Sequence, residues 1–455
     1  MRVVSIVGAV GAAALLTGSV LAGSVSERVV PVTASAQVDA PTVPVLSARR
    51  TPVTLSHMAR VGRVVRSLAT SLGRVPDGSC AVVDWEGERL GEVASSLSLV
   101  PASAMKVVTA SVALEVLGAD HVWETTIHGS VGPGGDAAGL WLVGGGDPVL
   151  HTAAYPSTEK YPTFNGTALE KLADAAVAAG LRRVTGNIIG VDTRYDAERF
   201  VASWPSSFHV LEAGPLGALM VDDGSVFGAA QKPDDPAVAA AEMLRQLLAA
   251  RGVVIDGVPA HDVLPADVPS IAAVQSLPLT AVLQEMLVNS DNNAAELIFK
   301  EIGFEGKGLG STSAGAEVVT ETMGKWGLAK DLVVVDGSGL SSENRVPCST
   351  FAGLLERFGA EISGLLPVAG ETGTLRDIFE GESVAGRLTA KTGTLSGVKA
   401  LVGFVPVAEG DPVRFVLVLN APRADERGRY RPVWYSVADS LALARATPRA
   451  DQLAP

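Results

Sequence analysis

Cysteine is nearly absent from this chain: Cys80 and Cys348 are its two copies in 455 residues. The six histidines, His57, His121, His128, His151, His209 and His261, are dispersed. No Cys/His cluster with ligand spacing exists, which disfavours a structural zinc site, and no metal is expected. The same dispersal gives no local support to a Ser-His-Asp triad, although such triads assemble in space. Net positive charge is also lacking. At −13, with lysines and arginines scattered, the chain is a poor polyphosphate binder, and nucleic acid is not expected as a partner. Internal repeats are missing, and so is low complexity beyond the N-terminus.

What is present is apolar material: 47% hydrophobic against 19% charged residues, enough for a sizeable core. The length exceeds one ordinary domain, so two are expected. Arg2 precedes an uncharged small and apolar run from Val3 to Ala22. Because about 20 apolar residues just span a bilayer, residues 1–22 read as an export signal or a single uncleaved membrane anchor. The location implied is the cell envelope, outside the cytoplasm. The following Ser-, Val-, Pro- and Ala-rich segment, 23–60, reads as a flexible stalk. In an exported chain two cysteines allow one disulfide, Cys80–Cys348, with two separately buried thiols as the alternative.

Residues 80–93 have the pattern of a hairpin turning near Glu86-Gly87. Pro101 opens a helix in which Met105, Val108, Val112 and Val116 recur at helical spacing, and Gly118 ends it. From 122 to 266 short apolar runs alternate with Gly/Pro/Asp turns, interrupted by helices near 166–180 and 236–251. This reads as an α+β insert. A long helical stretch follows near 279–302. Lys399–Val407 and Val413–Leu419 read as antiparallel strands, and 433–446 as a closing helix.

Three motifs carry chemistry: Ser103-Ala-Met-Lys106, Ser290-Asp-Asn292 and Lys391-Thr392-Gly393-Thr394. Alone, a Ser-x-x-Lys is expected roughly once or twice by accident in such a chain. A second copy, Ser157-Thr-Glu-Lys160, lies among prolines and polar residues and reads as a surface turn. Ser342-Glu-Asn344 repeats the second pattern within a Gly-rich loop. At Ser103, by contrast, the motif starts an apolar helix, where i and i+3 share a face and the exposed amides favour an anion. Order and element type together make coincidence of all three improbable.

The set resembles the class C low-molecular-mass penicillin-binding proteins, the D-alanyl-D-alanine carboxypeptidase/endopeptidases of the serine peptidase S13 type. Further similar runs are Gly144–Pro148, Gly214–Gly217 with Asp222–Gly224, Asp336–Ser341, and Leu366–Gly370 before Gly373–Leu375. The long interval from Ser103 to Ser290 is the mark of that group. The resemblance implies an α+β fold. A penicillin-recognising (β-lactamase/transpeptidase-like) core, with an antiparallel sheet flanked by helices, would comprise 61–121 and 267–447. A large inserted α+β domain would span 122–266, with 448–455 as a tail.

It also implies roles. Ser103 would be the nucleophile and Lys106 its base, its pKa lowered by burial and by Lys391. Ser290 would pass the proton to the leaving amine, and Asn292 would bind substrate backbone and hold Lys106. Lys391, Thr392, Gly393 and Thr394 would form the strand that receives a terminal carboxylate. The amides of Ser103 and Thr394 would make the oxyanion hole. Asp147 would meet a free amine of the substrate, or else serve only as a turn residue before Pro148. Where some relatives carry an arginine after the Asp336–Ser341 run, Ser342 stands here and Arg345 is the nearest cation. Expected partners are peptidoglycan stem peptides ending in, or cross-linked through, D-Ala, and β-lactams; no cofactor is needed. The alternatives are a β-lactamase or esterase on the same core, or a catalytically idle wall-binding protein.

Overall fold

The computed structural model describes residues 52–229, 231–408 and 410–445. The apolar run 1–22, the stalk up to residue 51 and the tail lie outside these residues. Among the described residues, no helix is long and apolar enough to cross a membrane.

In chain order the principal elements start with α1 (Pro52–Leu72), β1 (Cys80–Trp85), β2 (Glu88–Val93) and α2 (Met105–Val116). The middle of the chain gives β3 (Glu124–His128), β4 (Leu140–Val143), α3 (Glu170–Ala178), β5 (Ile188–Val191), α4 (Pro236–Ala250), β6 (Pro259–His261) and β7 (Ser270–Gln275). Then come α5 (Leu279–Asn289), α6 (Asn292–Lys307), α7 (Thr312–Lys325), α8 (Cys348–Arg357), β8 (Thr389–Leu395), β9 (Val398–Val405), β10 (Val413–Asn420) and α9 (Arg427–Ala442).

One five-stranded sheet runs β8-β9-β10-β1-β2, antiparallel throughout. Strand side chains alternate between faces, and both faces of β9 and β10 are apolar. Ala400, Val402, Phe404, Val416 and Val418 point into one core with α2, α5, α6 and α8. Leu401, Val405, Phe415, Leu417 and Leu419 point into a second core with α1 and α9. The sheet is therefore the middle of three layers, buried on both sides. Cys80 on β1 and Cys348 at the start of α8 are joined by a disulfide, with Cα atoms 6.0 Å apart.

α1 corrects the stalk. Val61, Val64, Leu68 and Leu72 recur at helical spacing and pack into the second core, so residues 52–60, read as stalk, belong to the helix Pro52–Leu72.

The second sheet, β6-β5-β4-β3-β7, is mixed: β5 runs parallel to β4 and β6, and β3 antiparallel to β4 and β7. It packs with α3 and α4 around a separate core. A small cluster, with Tyr195, Trp204 and Leu216 on one side and Leu297 of α6 and Leu340 on the other, joins this part to the first.

The stretch read as one long helix is two. Ser290 is left-handed (φ 62°, ψ 36°), a costly conformation for a residue with a Cβ. Asp291 restarts the helix by accepting the Ala294 N–H at 2.9 Å, an N-cap bond. The break turns Ser290 and Asn292 toward the edge of the first sheet.

Candidate active site

Ser103 lies in a 3-10 turn, Ala102–Ala104, that runs straight into α2. Lys106, one turn on, is fully buried. Its Nζ lies 3.3 Å from Ser103 Oγ, 2.7 Å from Asn292 Oδ1 and 2.8 Å from the Ser338 carbonyl. Two of these neighbours can only accept. A neutral amine spends its two N–H bonds on Asn292 and Ser338, which leaves its lone pair for the Ser103 hydroxyl. Burial lowers the Lys106 ammonium to about 8, while Glu296, Asp336, Asp291 and Glu212 oppose that fall. Burial is thus the cause expected from sequence, and the carboxylates are a counterweight that sequence did not reveal.

Lys391, on β8, is also fully buried. Its Nζ donates to Ser290 Oγ and to the Thr392 carbonyl, each at 2.8 Å. Burial, then the charges of Lys106 and Lys399, push it well below the usual lysine range. Gly393 permits the approach of β8 to the nucleophile turn: a Cβ there would sit 2.7 Å from the Pro101 carbonyl and 3.0 Å from the Ala104 nitrogen.

β8 is an edge strand, and such an edge can accept an added peptide strand. Ser103, Ser290, Asn292, Thr392 and Thr394 line one cavity of about 800 Å³ beside it. The Thr392 hydroxyl donates to Thr374 Oγ1 at 2.8 Å. The Asn292 amide donates to the Glu212 carbonyl at 2.9 Å, which ties the site to the middle of the chain. A second cavity of about 430 Å³ shares Ser290 and Asn292 and has Glu159, Asp223, Glu285 and Asp291 on its wall, with Lys160 and Lys232.

Behind the site stands a buried polar scaffold. The Glu296 carboxyl accepts the Gly337 and Ser338 N–H groups, the latter at 2.7 Å. That fixes the loop whose Ser338 carbonyl holds Lys106. Burial and Asp336 push Glu296 upward, against those amide bonds. Asp336 accepts from the Gly339 and Ser341 amides, the Asn344 amide and the Trp204 indole. Asn344, in the second Ser-x-Asn copy, thus braces the loop and does not line either cavity.

Asp147, expected either to contact a substrate amine or to form a turn, is buried. It is 3% exposed, and one oxygen accepts the Val149 N–H at 3.0 Å. It is absent from the walls of both cavities. Burial pushes its carboxyl up to about 6. The geometry is that of a turn aspartate. Ser157 is exposed and donates to the Ala154 carbonyl, away from Lys106. Arg345 donates to the Ser342 and Asn344 carbonyls and lines neither cavity. Among the described residues no three His, Cys, Asp or Glu side chains converge as a metal-binding group.

Sequence reading missed Glu296, Thr374 and Lys399. Lys399 had a visible signal, being the one charged residue of Val398–Val405, a strand otherwise without polar side chains.

The model of the D-Ala-D-Ala carboxypeptidase 3 (S13) family matches residues 77–235 and 225–433. A D-alanyl-D-alanine carboxypeptidase of Actinomadura sp. (strain R39) is 30% identical over 444 residues, covering 78% of each chain. Carboxypeptidase DacB of Mycolicibacterium smegmatis is 31% identical over 436 residues, covering 91% of this chain and 90% of the relative. The fold resembles the crystal structure of penicillin binding protein 4 from Haemophilus influenzae, with a TM-score of 0.68 at 18% identity over 82% of this chain and 99% of that one.

Proposed function

This chain belongs to the D-Ala-D-Ala carboxypeptidase 3 (S13) family, and from that premise we propose how its residues perform the reaction. The protein is a serine D-Ala-D-Ala carboxypeptidase and/or D,D-endopeptidase that acts on peptidoglycan peptides and reacts with β-lactams. The observation that carries the residue assignment is the environment of Lys106, with two acceptor-only partners and a serine hydroxyl at the third position.

Neutral Lys106 takes the Ser103 proton as Oγ attacks the carbonyl of the penultimate D-Ala. Oxygen–carbon bond formation yields a tetrahedral oxyanion, held by the Ser103 and Thr394 main-chain N–H groups; one such donor typically contributes about 3 kcal/mol. The C–N bond then breaks. Ser290 Oγ protonates the leaving amine and is resupplied through Lys391, 2.8 Å away, and Lys106. Water, deprotonated by the same lysine, releases the acyl-enzyme. The substrate lies along the free edge of β8, its terminal carboxylate at Thr392 and Thr394. The charges acting on buried Lys391 are those of Lys106 and Lys399, both positive, so an arriving carboxylate favours its charged form. An ammonium on the stem peptide meets the acidic second cavity and not Asp147.

Peptidoglycan lies outside the cytoplasm, and the uncharged run Val3–Ala22 supplies the export signal or anchor. The test is release of D-alanine from an acyl-D-Ala-D-Ala peptide by the purified chain, blocked by prior penicillin treatment and absent in Ser103→Ala. Release undiminished in that variant contradicts the assignment. Rapid penicillin turnover without peptide cleavage would instead identify a β-lactamase.

A further inference from the structure

Lys399 is a buried lysine that the reaction above does not use. It stands on β9 directly across from Thr394 on β8 and is 8% exposed. Its Nζ donates to Thr394 Oγ1 at 2.7 Å and lies over the rings of Tyr430 and Trp434, 4.5 and 5.4 Å from their centroids. Among the described residues it makes no ion pair at salt-bridge distance. The acid whose charge acts on it is Asp425, which accepts the Gly397 N–H at 2.8 Å.

Burying an unpaired ammonium is costly, and packing does not require one here. A methionine would fill the slot between two aromatic rings. What lysine adds is three donors and a charge. A threonine hydroxyl has one hydrogen and two lone pairs. Accepting from Lys399 occupies a lone pair and leaves the hydrogen to point elsewhere, and Thr394 lines the cavity that holds Ser103.

We propose that Lys399 is a positioning residue that sets specificity for a charged substrate terminus. It holds the Thr394 hydroxyl as a donor aimed at the substrate's terminal carboxylate, and it places a positive charge directly behind that hydroxyl. The assignment rests on the carboxylate site described under Proposed function. It places a cation directly behind Thr394, in a cavity that Arg427 and Arg431 also line and Arg345 does not.

The test uses the full chain with Lys399→Met, Lys399→Arg, Thr394→Val and the double variant Lys399→Met/Thr394→Val. Each is assayed on an acyl-D-Ala-D-Ala peptide and on the same peptide with its terminus as a carboxamide. Losing a charge-assisted hydrogen bond predicts that Lys399→Met lowers kcat/KM for the acid by about 10- to 100-fold. The amide should fall far less. Lys399→Arg should recover most of the discrimination, and the double variant should be little worse than the poorer single variant, because one residue acts through the other. Should Lys399→Met fail to fold, as judged by thermal unfolding, Lys399→Gln carries the same comparison. Equal losses on acid and amide, additive losses in the double variant, or no loss at all would overturn the role of Lys399 alone. A wild-type chain that cleaves neither peptide and forms no penicillin adduct would overturn the functional reading and this inference with it.

Discussion

Lys106 and Lys391 are the same residue type, each fully buried and bonded to a serine that lines one cavity, yet their surroundings are opposite. Four carboxylates act on Lys106. The charges acting on Lys391 are Lys106 and Lys399, both positive. Burial alone would drive both lysines to the neutral form. The acids around α6 keep Lys106 near 8, where it can both take and return a proton at working pH. Lys391 is left dependent on whatever anion enters. The resemblance implies a base at Lys106 and a carboxylate site at Lys391, and the two environments, acids around one and cations around the other, support that proposed division.

That contrast breaks most visibly if the base is removed. Lys106→Ala is expected to slow acylation by about 10³-fold, within the range for a positioned base, with little change in the affinity of an unreactive peptide. Stopped-flow acylation by a fluorescent penicillin at the wild-type rate would refute the proton-carrier role. Lys391→Ala should cost less, about 10- to 100-fold on substrates with a terminal carboxylate, and less again on an uncharged ester. Identical losses on both substrates would erase the proposed difference between the lysines.

A subtler change sharpens the comparison. Glu296 is the largest of the influences that raise Lys106. The base works when neutral, so acylation should rise with pH through about 8 in the wild type. Glu296 is itself pushed up to about 8 by burial and Asp336 and carries its charge at the upper end of this range, so Glu296→Gln should lower the Lys106 pKa modestly and move the rising limb slightly to lower pH. A pH–rate profile that stays in place, or moves upward, counts against the carboxylate counterweight. The smallest effect is expected at Asp147. Asp147→Asn should leave kcat/KM nearly unchanged, since this carboxyl lies off the cavity walls. Its stability effect has a defined sign. A carboxyl raised from 3.8 to about 6 on folding favours the folded state at low pH, and that contribution is lost as pH rises between those values. Denaturant titrations at several pH values should show the dependence weakened in the Asn variant.

How much of this was legible in the sequence differs by residue. The three motifs could be read because their chemistry is local: a serine and a lysine one helical turn apart, and a lysine beside glycine on a strand edge. The antiparallel pair β9 and β10 could be read from its apolar runs, and the helices flanking the sheet were implied by the family resemblance. The left-handed break at Ser290 could not, since the Leu279–Ile302 pattern is helical on either side of it. Glu296 and Asp336 read as ordinary acids until folding brings loop amides onto them. Asp147 reads from its run as a substrate contact or a turn residue; Oδ1 accepts the Val149 N–H, as a turn aspartate does, while the buried Oδ2 has no hydrogen-bond partner among the described residues. In α1, Val64 and Leu68 were visible, but the preceding His57 and Arg60 masked the helix start.

The most direct test of the account is intact-mass spectrometry with peptide mapping after exposure to a penicillin. The account predicts one adduct per chain, mapped to Ser103, formed slowly in Lys106→Ala and absent in Ser103→Ala. An adduct on Ser157 or Ser290, or one that persists in Ser103→Ala, would contradict it.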